Sequence, residues 1–210
     1  MKRDPKDLIR YTAPERANHW VVGMAFILLA LSGLAFFHPA FYPLSQFFGG
    51  GVWARILHPF IGVVMALSFV AMFFRFWKLN LITPADKEWL GRIGEMVNGD
   101  DHNMPAAGKY NGGQKLLFWL LVCCIALLAV SGLVIWRAYF SALFPIGMIR
   151  FASLMHAMVA AGMICLIIVH VYAAIWTRGT IRAMLYGTVS RAWAKQHHSA
   201  WFRQITGGGK

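Results

Sequence analysis

Four stretches of this sequence, roughly Ala17 to Phe37, Trp53 to Trp77, Leu116 to Trp136 and Phe151 to Trp176, are apolar over a length that carries a helix across about 30 Å of hydrocarbon. The third and fourth hold no charged residue at all. Composition agrees: 59% of the 210 residues are hydrophobic and 13% charged, too little polar surface for an ordinary soluble globule. The chain is therefore expected to be an integral membrane protein. Its formal net charge of +12 does not mark a nucleic-acid binder, because the bases lie between the apolar runs and not on a separate polar domain.

The connections set the topology. HPAFYPLSQFFGGG joins the first two spans and RAYFSALFPIG the last two, both short and rich in turn-forming residues. Seventeen of the twenty Lys and Arg fall in the N-terminal segment, around the loop after span two and in the C-terminal segment; only Arg55, Arg137 and Arg150 fall on the other side. Positive charge is retained in the cytoplasm during insertion, so both termini are expected there. The first span is too long and polar-flanked for a cleaved signal peptide. Thr12-Ala13-Pro14-Glu15 reads as an N-cap, a first-turn proline and the reciprocal acid of a capping box, which places His19 inside the first helix.

Residues 79–115 form a cytoplasmic loop in which Trp89, Leu90, Ile93, Met96 and Val97 recur at helical spacing, suggesting one short amphipathic helix on the membrane surface. The basic tail, 178–210, mixes Arg, Lys and Trp as an interfacial helix contacting anionic lipid headgroups would, or one bracing a neighbouring subunit. His38, His102, His197 and His198 lie in these polar parts and read as surface residues. Cys123, Cys124 and Cys165 all lie within spans, with no spacing for zinc, disulfides or covalently attached haem. Ala30-Leu31-Ser32-Gly33-Leu34 recurs as Ala129-Val130-Ser131-Gly132-Leu133, each followed at nearly equal distance by an in-span histidine, His58 or His156. A duplicated helical hairpin and chance both account for that echo.

Four histidines lie inside spans: His19, His58, His156 and His170. A single one is as readily a helix-interface hydrogen-bond donor as a functional group, but ionisable side chains are costly in hydrocarbon and four at matched depths call for a common purpose. His156 and His170 are fourteen residues apart on one helix, about 21 Å along the axis and within about 40° of one face. Depth then pairs His58 with His156 near the outer side and His19 with His170 near the inner side. Two imidazoles from different helices supply both axial ligands of a six-coordinate, electron-transferring haem iron. Small residues, Gly33, Gly62 and Ala160, leave room for a flat macrocycle, although close helix packing favours them equally. Zinc wants three or four ligands at one level. A proton-coupled transporter would be expected to carry acids or broken helices within its spans, and every acid here lies in the cytoplasmic segments. A haem-free anchor is the remaining alternative. The expected architecture is an all-α, four-helix transmembrane bundle with two stacked b-type haems.

With ERANHW around His19, RILHPFIG around His58, GKYNGGQK before span three, H-x13-H in span four and VSRAWAKQHH near the end, the chain resembles the di-haem cytochrome b (gamma) subunits of bacterial respiratory formate dehydrogenases. The histidine set is shared with cytochrome b subunits of membrane-bound hydrogenases, the alternative reading. The resemblance implies a location in the bacterial inner membrane and partners comprising a molybdenum-containing catalytic alpha subunit and an iron-sulfur beta subunit. Whether that complex forms a higher oligomer is left open. It implies electrons passing inward to quinone and building proton motive force, with a quinone site at Asn111, Gly113 and Gln114 beside His170. The chain itself has no formate site. Arg55, Arg137 and Arg150 either meet haem propionates or the partner, or anchor the interface.

Overall fold

The computed structural model describes residues 6–99 and 104–207. Among them, four helices are long and apolar enough to cross a membrane: α1 (Ala13–Phe37), α2 (Gly51–Phe76), α5 (Gly112–Ile135) and α6 (Ile146–Trp176). Each starts before the apolar run read from sequence, and at α1 and α5 the added first turn carries polar capping residues. At α1 the Thr12 amide donates to Glu15 Oε2 at 2.8 Å, the acid's half of the capping box expected there. His19 accordingly sits a turn and a half into the helix.

The chain divides into two compact units. The first to consider comprises Ala17–Phe74 and Leu121–Val169. Here α1, α2, α5 and α6 share a core of Ala25, Met65, Phe69, Ile125 and Met163. Its outward faces are apolar, as hydrocarbon requires: Leu67, Phe74, Val130 and Ile168 are all exposed. The connection between α1 and α2 is a 3₁₀ segment, Pro39–Phe48, started by the His38 side chain accepting from the Ala40 amide and ended at Gly49 with φ 85°. His38 is exposed, as expected. Within α2, Asn18 Nδ2 from α1 donates to the Ser68 carbonyl at 2.9 Å, giving an amide in an apolar region a partner.

The second unit comprises the described parts of 1–16, 75–120 and 170–210. The expected single amphipathic helix is instead two, α3 (Pro84–Gly91) and α4 (Ile93–Val97), broken at Arg92, whose amide turns back to the Glu88 and Trp89 carbonyls. Gly91 and Gly94 flank the break and offer little helical preference to oppose it. The hydrophobic repeat is divided as well: Trp89 is buried, whereas Val97 is exposed.

The tail departs further from one interfacial helix. It folds as α7 (Thr180–Tyr186), the strand β2 (Thr188–Val189), α8 (Arg191–His197) and α9 (Ser199–Ile205), with β2 antiparallel to β1 (Leu8–Ile9). That two-stranded pair is a small departure from an all-α chain. Trp193 and Trp201, expected at the lipid interface, pack with Ala183, Val189 and Ala194 into a core of their own. Gly187 is the hinge: it adopts φ 79°, its carbonyl accepts from the Arg10 and Tyr11 amides, and a Cβ there would lie 2.5 Å from the Tyr11 carbonyl oxygen. No other residue type satisfies both demands.

His198, expected on the surface, is 1% exposed. Its Nδ1 donates to the Gly108 carbonyl at 2.7 Å and its Nε2 meets Arg10 Nη2 at 3.2 Å, which requires a neutral ring. Arg10 itself donates to the Lys109 carbonyl and lies among the rings of Tyr11, Tyr110, Trp193 and Trp201. Burial, with the Arg10 charge adding to it, pushes the His198 pKa down to about 3. A histidine depressed in the folded state contributes stability that is complete above its unfolded pKa of about 6.5 and is lost as pH falls from there, at about 1.4 kcal/mol per pH unit. Limited proteolysis of the tail in detergent should therefore accelerate between pH 7.5 and pH 5. His198→Gln should be weaker at pH 7.5 and nearly flat across the same interval; an unchanged slope would show that another group senses the acid.

Candidate functional site

The unit built from Ala17–Phe74 and Leu121–Val169 brings two of the four in-span histidines together. His58 on α2 and His156 on α6 face each other with ring centroids 6.2 Å apart and planes inclined at 63°. Two imidazoles bound in line to one metal atom, with bonds of about 2 Å, would place their ring centres about 6 Å apart. The residues present fit a bis-imidazole metal centre.

Each ring is held from behind by a serine. Ser32 Oγ on α1 is 2.7 Å from His58 Nδ1, and Ser131 Oγ on α5 is 2.9 Å from His156 Nδ1. Both hydroxyls also donate to the carbonyl one helical turn back, Leu28 at 2.8 Å and Leu127 at 2.6 Å. The glycine that follows each serine brings its helix against the same ring: a Cβ on Gly33 would lie 3.6 Å from His58 Cε1, and one on Gly132 3.4 Å from His156 Cε1. The repeated Ser-Gly pair thus performs the same task twice, a role the sequence signalled only as an echo. A Cβ on Gly62, read as haem space, would have Leu29 Cδ2 at 3.9 Å as its nearest neighbour.

His19 belongs to this same unit, its ring edge-on to Trp20 at 5.7 Å, while His170 on α6 belongs to the other. Arg55, Arg137 and Arg150 are exposed, with the Arg55 guanidinium 5.7 Å from the Phe36 ring centre. His197 is half-buried, its ring 5.3 Å from that of Trp193. His102 lies outside the described residues.

In the other unit, the candidate quinone residues form the start of α5. The Asn111 amide donates to Gln114 Oε1 at 3.1 Å, and the Gln114 amide donates to Asn111 Oδ1 at 2.9 Å. This reciprocal capping uses the two side-chain oxygens and leaves their amide hydrogens as the donors available to a ligand. The N-x-x-Q spacing carried that signal in the sequence. Gly112 and Gly113 admit Trp89, whose ring would lie 2.9 Å from a Cβ on Gly113. Lys115, one residue on, is buried against Asp86 at 2.6 Å and the Leu81 carbonyl at 3.0 Å. Burial alone would raise the Asp86 pKa, but hydrogen bonds from Lys115 and Thr83 outweigh it and hold the carboxyl below its ordinary range. The pair pins α3, and hence Trp89, to the beginning of α5.

With this geometry the chain can be placed: it belongs to the prokaryotic cytochrome b561 family, whose model matches residues 10–187. Membership implies haem b. Among curated proteins it is 49% identical over 198 residues to the formate dehydrogenase cytochrome b556(fdo) subunit of Escherichia coli K12, covering 94% of this chain and 93% of that one. It is 43% identical over 202 residues to the nitrate-inducible formate dehydrogenase cytochrome b556(Fdn) subunit of the same strain, covering 95% and 92%. With the formate dehydrogenase cytochrome b556 subunit of Haemophilus influenzae the identity is 38% over 197 residues, covering 94% and 83%.

Removing one member of a buried ion pair strands the other, at a cost of about 3 kcal/mol, whereas replacing both with apolar groups is close to neutral. Asp86→Ala should therefore lower the thermal unfolding midpoint of the purified protein clearly, and adding Lys115→Met should restore most of the loss. A double variant as unstable as the single one would mean that Asp86 acts through Thr83 and not through Lys115.

Proposed function

We propose that this chain is the cytochrome b subunit of a quinone-linked formate dehydrogenase, carrying electrons across the inner membrane from an iron-sulfur beta subunit, itself fed by a molybdenum-containing alpha subunit, to quinone. The observation that carries the reading is the facing pair His58 and His156, each backed by a serine, in a chain whose similar relatives are named formate dehydrogenase cytochrome b556 subunits. His58 and His156 hold one haem b through Nε2, and His19 and His170 hold a second. When bound, the haems supply one-electron Fe(III)/Fe(II) couples.

Both termini are cytoplasmic, as the concentration of Lys and Arg in the terminal segments and the α2–α5 connection supports. The His58 and His156 pair then lies toward the periplasm, where the iron-sulfur partner docks, and His19 with His170 toward the cytoplasm. There the amide groups of Asn111 and Gln114, the Gly113 backbone and His170 orient a quinone carbonyl. Each quinone takes up two electrons and two cytoplasmic protons. Moving electrons inward opposes a potential worth about 2.3 kcal/mol per 100 mV, so the transfer stores redox energy as proton motive force. Exposed Arg178, Arg191, Lys195 and Arg203 meet anionic lipid headgroups.

A reduced-minus-oxidised spectrum of the purified protein should show a b-type signal equivalent to about two haems per chain. His58→Ala and His156→Ala should each remove the same one, leaving the other spectrally intact; two haems retained in either variant would sink the assignment. Donor identity follows from reduction of the intact complex by formate but not by hydrogen, and the opposite result would make this a hydrogenase subunit.

The quinone site needs substitutions that keep the α5 cap. Asn111→Asp and Gln114→Glu preserve the capping oxygens and exchange the amide donors for a charged acceptor oxygen. Reoxidation of the haems by quinone should slow about tenfold in each, with both haems bound and reducible by formate. Unchanged reoxidation in both and in the double variant would move the site elsewhere.

A further inference from the structure

The two serines behind the histidines do more than fill space. A serine hydroxyl has one proton, and at both positions a backbone carbonyl one turn back, Leu28 or Leu127, lies in place to accept it, with Leu29 or Leu128 a second acceptor at 3.2 and 3.3 Å. When Nε2 of each ring is given to iron, Nδ1 carries the ring proton, and each hydroxyl accepts that proton while sending its own to the carbonyl. Ser32 is wholly buried and Ser131 8% exposed, so neither has water as an alternative partner.

We propose that Ser32 and Ser131 are positioning residues that set the electron-donating strength of His58 and His156 toward a shared haem iron, and with it that iron's reduction potential. The proposal rests on the ligation of one haem by His58 and His156. A partner that accepts from the non-ligating N–H makes an imidazole a stronger donor, which favours the ferric state and lowers the potential. A hydroxyl is a weaker acceptor than a carboxylate, but donating its own proton to a carbonyl polarises it and strengthens its lone pair. The same arrangement on both axial ligands makes their effects act in one direction. A serine chosen only to fill the helix interface would have no reason to meet Nδ1 at 2.7 and 2.9 Å at both positions.

Redox titration of the haem-loaded full chain in detergent, followed by absorbance, separates tuning from packing. Ser32→Ala or Ser131→Ala should favour the ferrous state of one haem about tenfold, raising its potential by about 59 mV. The double variant should raise it further, and the other haem should not move. Ser32→Thr keeps a hydroxyl able to reach both the carbonyl and the ring, and should return the potential to that of the parent. An unmoved potential in a fully haem-loaded Ser32→Ala protein would overturn the proposal. If that variant loses the haem, Ser32→Thr decides: haem retained at the parent potential supports the proposal, and haem lost or its potential raised by the same amount refutes it. Failure here is distinct from failure of the ligation. If His58→Ala removes one haem while the serine variants shift nothing, only the tuning role falls; if His58→Ala keeps both haems, the ligation itself is wrong.

Discussion

Hydrocarbon offers a polar group no partner, and the helical core is arranged around that deficit. The hydroxyls of Ser32 and Ser131 are the sharpest instance. Each meets a backbone carbonyl and an imidazole at once, so one buried oxygen answers for two other polar groups. The Asn18 amide bonded to the Ser68 carbonyl follows the same logic. Where the long helices begin, side chains take over the unpaired amides, Glu15 at α1 and Asn111 with Gln114 at α5. Packing among Ala25, Met65, Phe69, Ile125 and Met163 then comes from close contact and not from escape from water, since the lipid outside is equally apolar.

The second unit meets a different difficulty, a buried guanidinium. Arg10 is 4% exposed and is held by the Lys109 carbonyl, the neutral His198 ring and the faces of four aromatic side chains. Aromatic quadrupoles and carbonyl dipoles stabilise the charge, and among the described residues no carboxylate forms an ion pair with it. In doing so they tie the N-terminal strand, the segment leading to Asn111 and the tail helices into one structure. Basic residues that look interchangeable in a count of topology signals therefore divide into two kinds. Arg178 and Lys195 are solvated, whereas Arg10 and Lys115 are structural.

What the sequence disclosed was local. Span positions follow from runs of apolar residues, and the α1 cap from four adjacent residues, because a helix decides these within its own length. The facing of His58 and His156 was legible through depth, since the short loops on either side fix how far along each helix a residue lies. The serines escaped notice because their partners are on other helices, although the repeated Ser-Gly pair was visible. Misreadings arose where one residue type serves two environments. Trp193 and Trp201 suit a lipid interface and a protein core equally, and the glycines that fold the tail back, at positions 179 and 187, were the available clue. Likewise the Trp89 to Val97 repeat resembled one amphipathic helix until Gly91 and Gly94 are weighed against it. The surface reading of His198 failed because two adjacent histidines look alike in sequence, and only the fold turns one inward.

The doubled Ser-Gly step carries a consequence for assembly. The α1–α2 hairpin presents one imidazole with its supporting hydroxyl, and the α5–α6 hairpin presents the other. On the proposed ligation each hairpin holds half of a coordination sphere, and neither half can complete it alone. A metal centre shared in this way would be retained only where the two hairpins pack in register, so its retention would report their correct pairing. Drift in one half is then constrained by the other.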